Sequence, residues 1–120
     1  MRLGGASIED TSAVVAFPAE VDIGNADLVL DQALQHLDNG APGLVLDLTT
    51  CEFCDSSALA TIDRAQMRAT ALGVPMWVVL PARGLVRRVC DAAGLARRVA
   101  IAPDLATARA ALARPRRHAG

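Results

Sequence analysis

Apolar residues are grouped along the chain in two ways, which alternate from the amino to the carboxyl end. Short, nearly continuous apolar runs are typical of buried β-strands, because a strand covered on both faces carries apolar side chains at every position. These candidate strands are residues 13–17, 43–48, 75–80 and 97–101. Between them, apolar residues recur every three or four positions, which predicts amphipathic helices. The candidate helices are residues 25–39, 55–72, 85–94 and 104–112.

Residues that favour helix ends support these bounds. Asn25 and Asp104 are suitable N-caps, since their side-chain oxygens can accept hydrogen bonds from free backbone amides. The second helix can be capped by Asp55 or Ser56, and Gly73 is suited to close it. Its buried stripe is predicted to consist of Leu59, Ile62, Ala65, Met67 and Ala69.

The order of these elements predicts the fold class. Strands that alternate with helices form α/β layers, with parallel strand pairs joined by right-handed crossovers. Residues 19–22, which follow Pro18, are predicted to be a loop. The 120 residues form one predicted domain over 1–113 and a flexible basic tail over 114–120.

Composition and charge exclude several classes of function and location. The net charge is −1, but three of the 12 basic residues lie in the tail, so the predicted domain has a charge of about −4. An acidic domain argues against a nucleic-acid surface. No run of about 18 apolar residues predicts a membrane span, and residues 1–5 lack the apolar core of a signal peptide. We therefore expect a cytoplasmic protein.

Catalytic motifs are not recognisable in the sequence. His36 and His118 have no nearby residues that would complete a triad or a metal site, and no glycine-rich phosphate loop occurs. Every basic residue is arginine, so lysine chemistry is excluded. These observations predict a binding or regulatory protein rather than an enzyme, without cofactor or metal.

The segment Cys51-Glu52-Phe53-Cys54 has the spacing of a redox motif. Cys54 lies just before a predicted helix, where the pKa of a thiol is lowered. However, redox sites usually place the first cysteine, not the second, at the helix start. We favour the alternative that Cys54 and Phe53 pack as small apolar groups at the end of a strand.

The most informative segment is Asp55-Ser56-Ser57, at the start of the second helix. One capping residue is enough for a helix, so three consecutive polar side chains suggest a further role. A phosphate on a hydroxyl of the first turn would meet free backbone amides and add a charge of about −1.5 to −2 beside Asp55. Ser57 is therefore a candidate phosphorylation switch.

Three segments in order resemble the STAS domain family, specifically the bacterial anti-sigma-factor antagonists. Asp47-Leu48-Thr49 followed by Asp55-Ser56-Ser57-Ala58-Leu59 is similar to the central family pattern, with Ala58 in place of the usual glycine. Glu20-Val21-Asp22 resembles an upstream loop of the family, and residues 86–95 resemble its helix with a Gly-Leu ending. The resemblance covers residues 13–113.

The resemblance implies a single STAS-like α/β domain with a mixed central sheet of four to five strands and about four α-helices. It also implies an antagonist that binds an anti-sigma factor, itself a serine kinase, and thereby releases the sigma factor. Phosphorylation of Ser57 would end that binding, and a phosphoserine phosphatase would reset it. The residues expected on the docking surface beside Ser57 are Glu20, Asp22, Asp55, Ser56 and Ala58.

The sequence is compatible with two other functions. One is a STAS interaction module that is not phosphorylated, serving as an accessory subunit of a transporter or a signalling complex. The other is a redox protein that uses Cys51 and Cys54. The Ser57 hydroxyl favours the antagonist over the first alternative, because a simple interaction module needs no hydroxyl there.

Overall fold

The computed structural model describes residues 12–113. Their strands are β1 (Ala13–Ala16), β2 (Glu20–Val21), β3 (Leu44–Asp47), β4 (Phe53–Cys54), β5 (Met76–Val79) and β6 (Ala100–Ala102). Their helices are α1 (Ala26–Asp38), α2 (Ser56–Leu72), α3 (Leu85–Ala92) and α4 (Leu105–Ala113), and a short 3-10 helix spans Leu95–Arg97. The predicted basic tail and residues 1–11 lie outside the described part of the chain.

The main sheet has four strands in the order β1-β3-β5-β6. Each strand reaches its neighbour through a helix, so the neighbours run in the same direction and pair in parallel. The predicted α/β class is confirmed. The sheet was expected to be mixed, but every strand pair within residues 12–113 is parallel. The strands β2 and β4 form a separate parallel pair, here called the β2–β4 ribbon.

Helices cover both faces of the main sheet. The side chains of Leu44 and Leu46 belong to a large core cluster that includes buried residues of α1, α2 and α3. Val45, between them, belongs to a second cluster with Val79 and with Ala108 of α4. Alternate side chains of a strand point to opposite faces, so β3 must be apolar at each of these positions. This explains the continuous apolar run in the sequence.

Four details of the prediction are corrected by the structure. The loop predicted over 19–22 contains β2, and β4 was not predicted at all. The last strand is shifted from 97–101 to Ala100–Ala102, because Leu95–Arg97 folds as a 3-10 turn. Met67 was placed in the buried stripe of α2 but is 71% exposed. Successive side chains are rotated by about 100° around a helix axis, which takes Met67 away from the core side. The buried stripe instead includes Ala58 and Thr61.

Candidate functional site

The β2–β4 ribbon brings the Glu20-Val21-Asp22 segment next to the start of α2. Glu20 is paired with Phe53, and Val21 with Cys54. The backbone amide of Asp55 donates to the carbonyl of Val21 at 3.3 Å, which continues the pairing by one residue. Two segments that are more than 30 residues apart in sequence therefore end side by side.

Asp55 is the N-cap of α2. Its backbone is extended, and its Oδ1 accepts a hydrogen bond from the backbone amide of Ser57 at 2.8 Å. The carbonyl of Asp55 also accepts from the amide of Ala58 at 3.0 Å. These bonds satisfy two amides of the first turn, which have no partner inside the helix. Of the two caps that the sequence allowed, the structure uses Asp55.

Asn25 has a role that the sequence did not reveal. It precedes α1 as predicted, but its side chain makes no cap hydrogen bond to the helix. Instead, its Nδ2 donates to the carbonyl of Glu20 at 2.8 Å, and its Oδ1 accepts from the amide of Asp22 at 3.0 Å. The side chain thus fixes the backbone of the loop that carries Asp22. A capping residue and a loop clamp have the same sequence signal, so the two could not be distinguished.

Ser57 lines a shallow cleft of about 160 Å³ between the amino-terminal halves of α1 and α2, here called the α1–α2 cleft. The residues that line it are Ile23, Ala26, Asp27, Leu30, Ser57, Ala60, Thr61 and Arg64. Thr61 is buried in the helix interface, where its hydroxyl donates to the carbonyl of Ala26 at 3.3 Å. Ser57 itself is half-buried, and its hydroxyl has no hydrogen-bond partner within residues 12–113. That hydroxyl is therefore available to a reagent or enzyme that enters the cleft.

The structure brings most of the predicted site residues together. Glu20 and Ser56 are exposed, and Asp22 and Asp55 are half-buried at neighbouring ends of the ribbon. Ala58 does not join them at the surface. It is 0% exposed because it lies on the core stripe of α2 with Ile62. Its methyl group fills the core, and its side chain cannot contact a partner directly.

Two large apolar side chains are exposed beside these residues. Ile23, in the loop between β2 and α1, is 85% exposed and lines the α1–α2 cleft with Ser57. Phe53, on β4, is 42% exposed. Single exposed apolar residues are common on protein surfaces. Here, however, both lie within a few residues of the predicted docking residues, and the sequence pattern did not single them out.

The three cysteines are buried, and the raised pKa values of their thiols reduce the fraction of reactive thiolate. Burial raises the pKa of Cys51 and of Cys54, and it raises the pKa of Cys90 to about 12. The thiols of Cys54 and Cys90 lie close enough for each to affect the pKa of the other. A redox motif needs the opposite shift, toward the thiolate. The burial of Cys54 agrees with its interpretation as a packing residue, but the same prediction was wrong for Phe53, which is 42% exposed.

No cluster of three or more histidine, cysteine or acidic side chains within residues 12–113 has an arrangement that could hold a metal ion. Among the helices of the same residues, none combines the length and the hydropathy needed to cross a membrane.

Similarity to known proteins places this geometry in a family. Residues 6–108 match the sequence profile of the STAS domain. The chain belongs to the STAS domain family. The resemblance found in the sequence motifs is therefore confirmed over nearly the whole chain. No curated protein shows significant sequence similarity to this STAS domain.

Solved structures agree with that assignment. A crystal structure of a candidate anti-sigma factor antagonist, TM1081 of Thermotoga maritima, is 26% identical with a TM-score of 0.73. The match covers 84% of this STAS domain and 88% of that chain. The anti-sigma factor antagonist SpoIIAA in its unphosphorylated form has a TM-score of 0.63 at 11% identity, over 84% of this chain and 88% of that one. SpoIIAA therefore shares the fold.

Proposed function

We propose that this STAS domain is a cytoplasmic, non-enzymatic anti-sigma factor antagonist that is switched by phosphorylation of Ser57. In the unphosphorylated state it binds an anti-sigma factor, which is also its serine kinase, and so releases the sigma factor. Phosphorylation ends this binding, and a phosphoserine phosphatase restores it. The observation that carries the proposal is the position of Ser57: its unbonded hydroxyl lies at the start of α2, in an open cleft beside Asp55.

The rigid surroundings of Ser57 support this function. The cap from Asp55 and the ribbon fix the backbone on the amino-terminal side of Ser57. The buried residues of α2 fix the other side. A kinase therefore meets Ser57 on a backbone that is already ordered, so little backbone entropy is lost on binding.

The docking surface that we propose combines charge with apolar area. Glu20, Asp22 and Asp55 provide carboxylates around Ser57, and Ile23 and Phe53 provide exposed apolar side chains. Buried aromatic and aliphatic anchors supply most of the affinity of typical interfaces. Because the acidic residues already make this surface negative, one added phosphate increases the repulsion within the docked interface.

Electrostatics can operate the switch without a change of fold. A phosphate adds a charge of about −1.5 to −2 at pH 7. When the surface docks, that charge must be removed from water next to Asp55, which adds repulsion and a desolvation cost. A loss of about 3 kcal/mol weakens binding roughly 100-fold. No rearrangement of the helices is needed.

The test is a phosphorylation assay with ATP and each serine kinase of the host, followed by mapping of the phosphate by mass spectrometry. We expect phosphate on Ser57, which Ser57→Ala abolishes and the matched variant Ser56→Ala retains. Phosphate on Ser56 instead would mean that the switch is Ser56 and that the assignment to Ser57 is wrong. If no host kinase modifies the protein, the proposal fails, and an interaction module without a switch becomes the better description.

A further inference from the structure

Arg64 is an arginine of α2 with no ion pair or hydrogen bond within residues 12–113. Two other arginines, one on α2 and one that contacts α2, do have carboxylate partners. Arg68 binds Asp38 at 2.8 Å, and Arg98 binds Asp63 at 2.9 Å. Arg64 instead lines the α1–α2 cleft, the same cleft that Ser57 lines. The guanidinium thus has free hydrogen-bond donors at the rim of the candidate phosphorylation site.

Helix geometry places Ser57 and Arg64 on the same face of α2. They are seven residues apart, which corresponds to nearly two turns and about 10.5 Å along the axis. The side chains of a helix lean toward its amino terminus, so the long side chain of Arg64 can reach toward Ser57. Between them on this face lie Ala60 and Thr61, whose short side chains leave the path open.

A phosphate fits this arrangement better than the carboxylate that is already present. Asp27 lines the opposite wall of the cleft, but it forms no ion pair with Arg64. A phosphate on Ser57 would extend from the helix toward Arg64 and carry up to two charges. Arginine binds phosphate oxygens with two parallel hydrogen bonds, a geometry that lysine cannot copy.

We propose that Arg64 is the intramolecular partner of the phosphate on Ser57, and that the phosphate occupies the mouth of the α1–α2 cleft. This inference rests on the proposed phosphorylation. Its consequence is that the modification changes two groups on the docking surface at once. One anion is added, and the free cation of Arg64 is neutralised and withdrawn from any partner.

The experiment uses protein in which phosphoserine is inserted at position 57 during translation, so that no kinase is needed. Phosphorus NMR then gives the second pKa of the phosphate, which is about 6 for a free phosphoserine. Asp27 and Asp55 lie beside the group and raise this pKa, whereas Arg64 and the backbone amides at the start of α2 lower it. Arg64→Gln should therefore raise it by about 0.3 to 0.5 of a pH unit, an amount typical of an exposed pair.

Arg68→Gln is the matched control, since it removes an arginine one helical turn further from Ser57. It should leave the phosphate pKa within about 0.1 of a pH unit. Equal values in the phosphorylated parent and in Arg64→Gln would overturn the inference, as would equal shifts in both variants. A second measurement needs no variant: the Nε–H resonance of Arg64 should move on phosphorylation, and an unmoved resonance contradicts the contact. If kinases leave Ser57 unmodified, the proposed function fails, but these NMR results are unaffected.

Discussion

The carboxylate of Asp55 and the backbone amide of Ser57 are joined by a hydrogen bond of 2.8 Å. The residue proposed to accept phosphate is thus held by the cap of its own helix. Replacement of Asp55 by alanine removes the acceptor and should lower the free energy of unfolding by about 1 kcal/mol. Asp55→Asn keeps an oxygen at the cap and should cost only a few tenths of that. Urea unfolding of the two variants measures the difference, and equal stabilities would contradict the capping role.

Ala58 should matter through the core rather than through a partner. Ala58→Gly adds backbone freedom, worth about 1 kcal/mol in a helix, and removes a buried methyl group worth about 0.8 kcal/mol. Ala60→Gly, at an exposed position of the same helix, has the cost of added backbone freedom but removes no buried methyl group. Chemical denaturation should therefore find Ala58→Gly the less stable by about 0.8 kcal/mol. The burial argument is wrong if the two glycine variants unfold at the same denaturant concentration.

The pKa of Cys90 predicts a loss of stability in alkaline solution. Burial raises the pKa of this thiol from 9.0 to about 12. Between these values the unfolded chain loses the proton while the folded chain keeps it, so the free energy of unfolding falls as pH rises. The slope from this one thiol reaches at most about 1.4 kcal/mol per pH unit, and Cys51 and Cys54, whose pKa burial also raises, add to it in the same direction. The chain contains neither tyrosine nor lysine, which keeps this pH range free of those titrations.

The check is urea unfolding of the reduced protein from pH 8 to 10.5, compared with Cys90→Ala. The variant should be less stable at pH 8, because it loses buried volume, but its stability should fall less steeply with pH. Parallel slopes in the two proteins would mean that the thiol of Cys90 is not responsible.

Ile23 should contribute to partner binding without contributing to stability. It is 85% exposed, so Ile23→Ser removes little buried surface and should leave the midpoint of thermal unfolding nearly unchanged. At the proposed interface the same change removes an apolar anchor and should weaken binding of the anti-sigma factor about 10-fold. Met67→Ser is the matched control, at 71% exposure and outside the α1–α2 cleft. If both serine variants bind equally well, the docking surface lies elsewhere.

Much of the fold could be predicted from the sequence because the signals were local. The apolar runs of β3 and β5, and the helical spacing of α1 and α2, repeat over several residues, and these elements were found. The two-residue strands β2 and β4 were missed, since a pattern of period two cannot be recognised over two residues.

The candidate site could be predicted only in part, for a related reason. The segment from Asp55 to Ser57 has a local signature, and its place at a helix start follows from capping. Contacts between distant segments have no such signature. The clamp from Asn25 to Glu20 and the proximity of the Cys54 and Cys90 thiols depend on the folded path of the chain. They could not be derived from the spacing of these residues.

The proposed switch is tested most directly by the affinity for the anti-sigma factor of two proteins that differ by one phosphate. The first is the unmodified chain, and the second carries phosphoserine at position 57, inserted during translation. Phosphoserine at position 67, an exposed position of α2 outside the α1–α2 cleft, is the control for added charge alone. The proposed mechanism predicts that only the modification at position 57 weakens binding by about 100-fold or more. Equal dissociation constants for the unmodified and the Ser57-phosphorylated protein would contradict it.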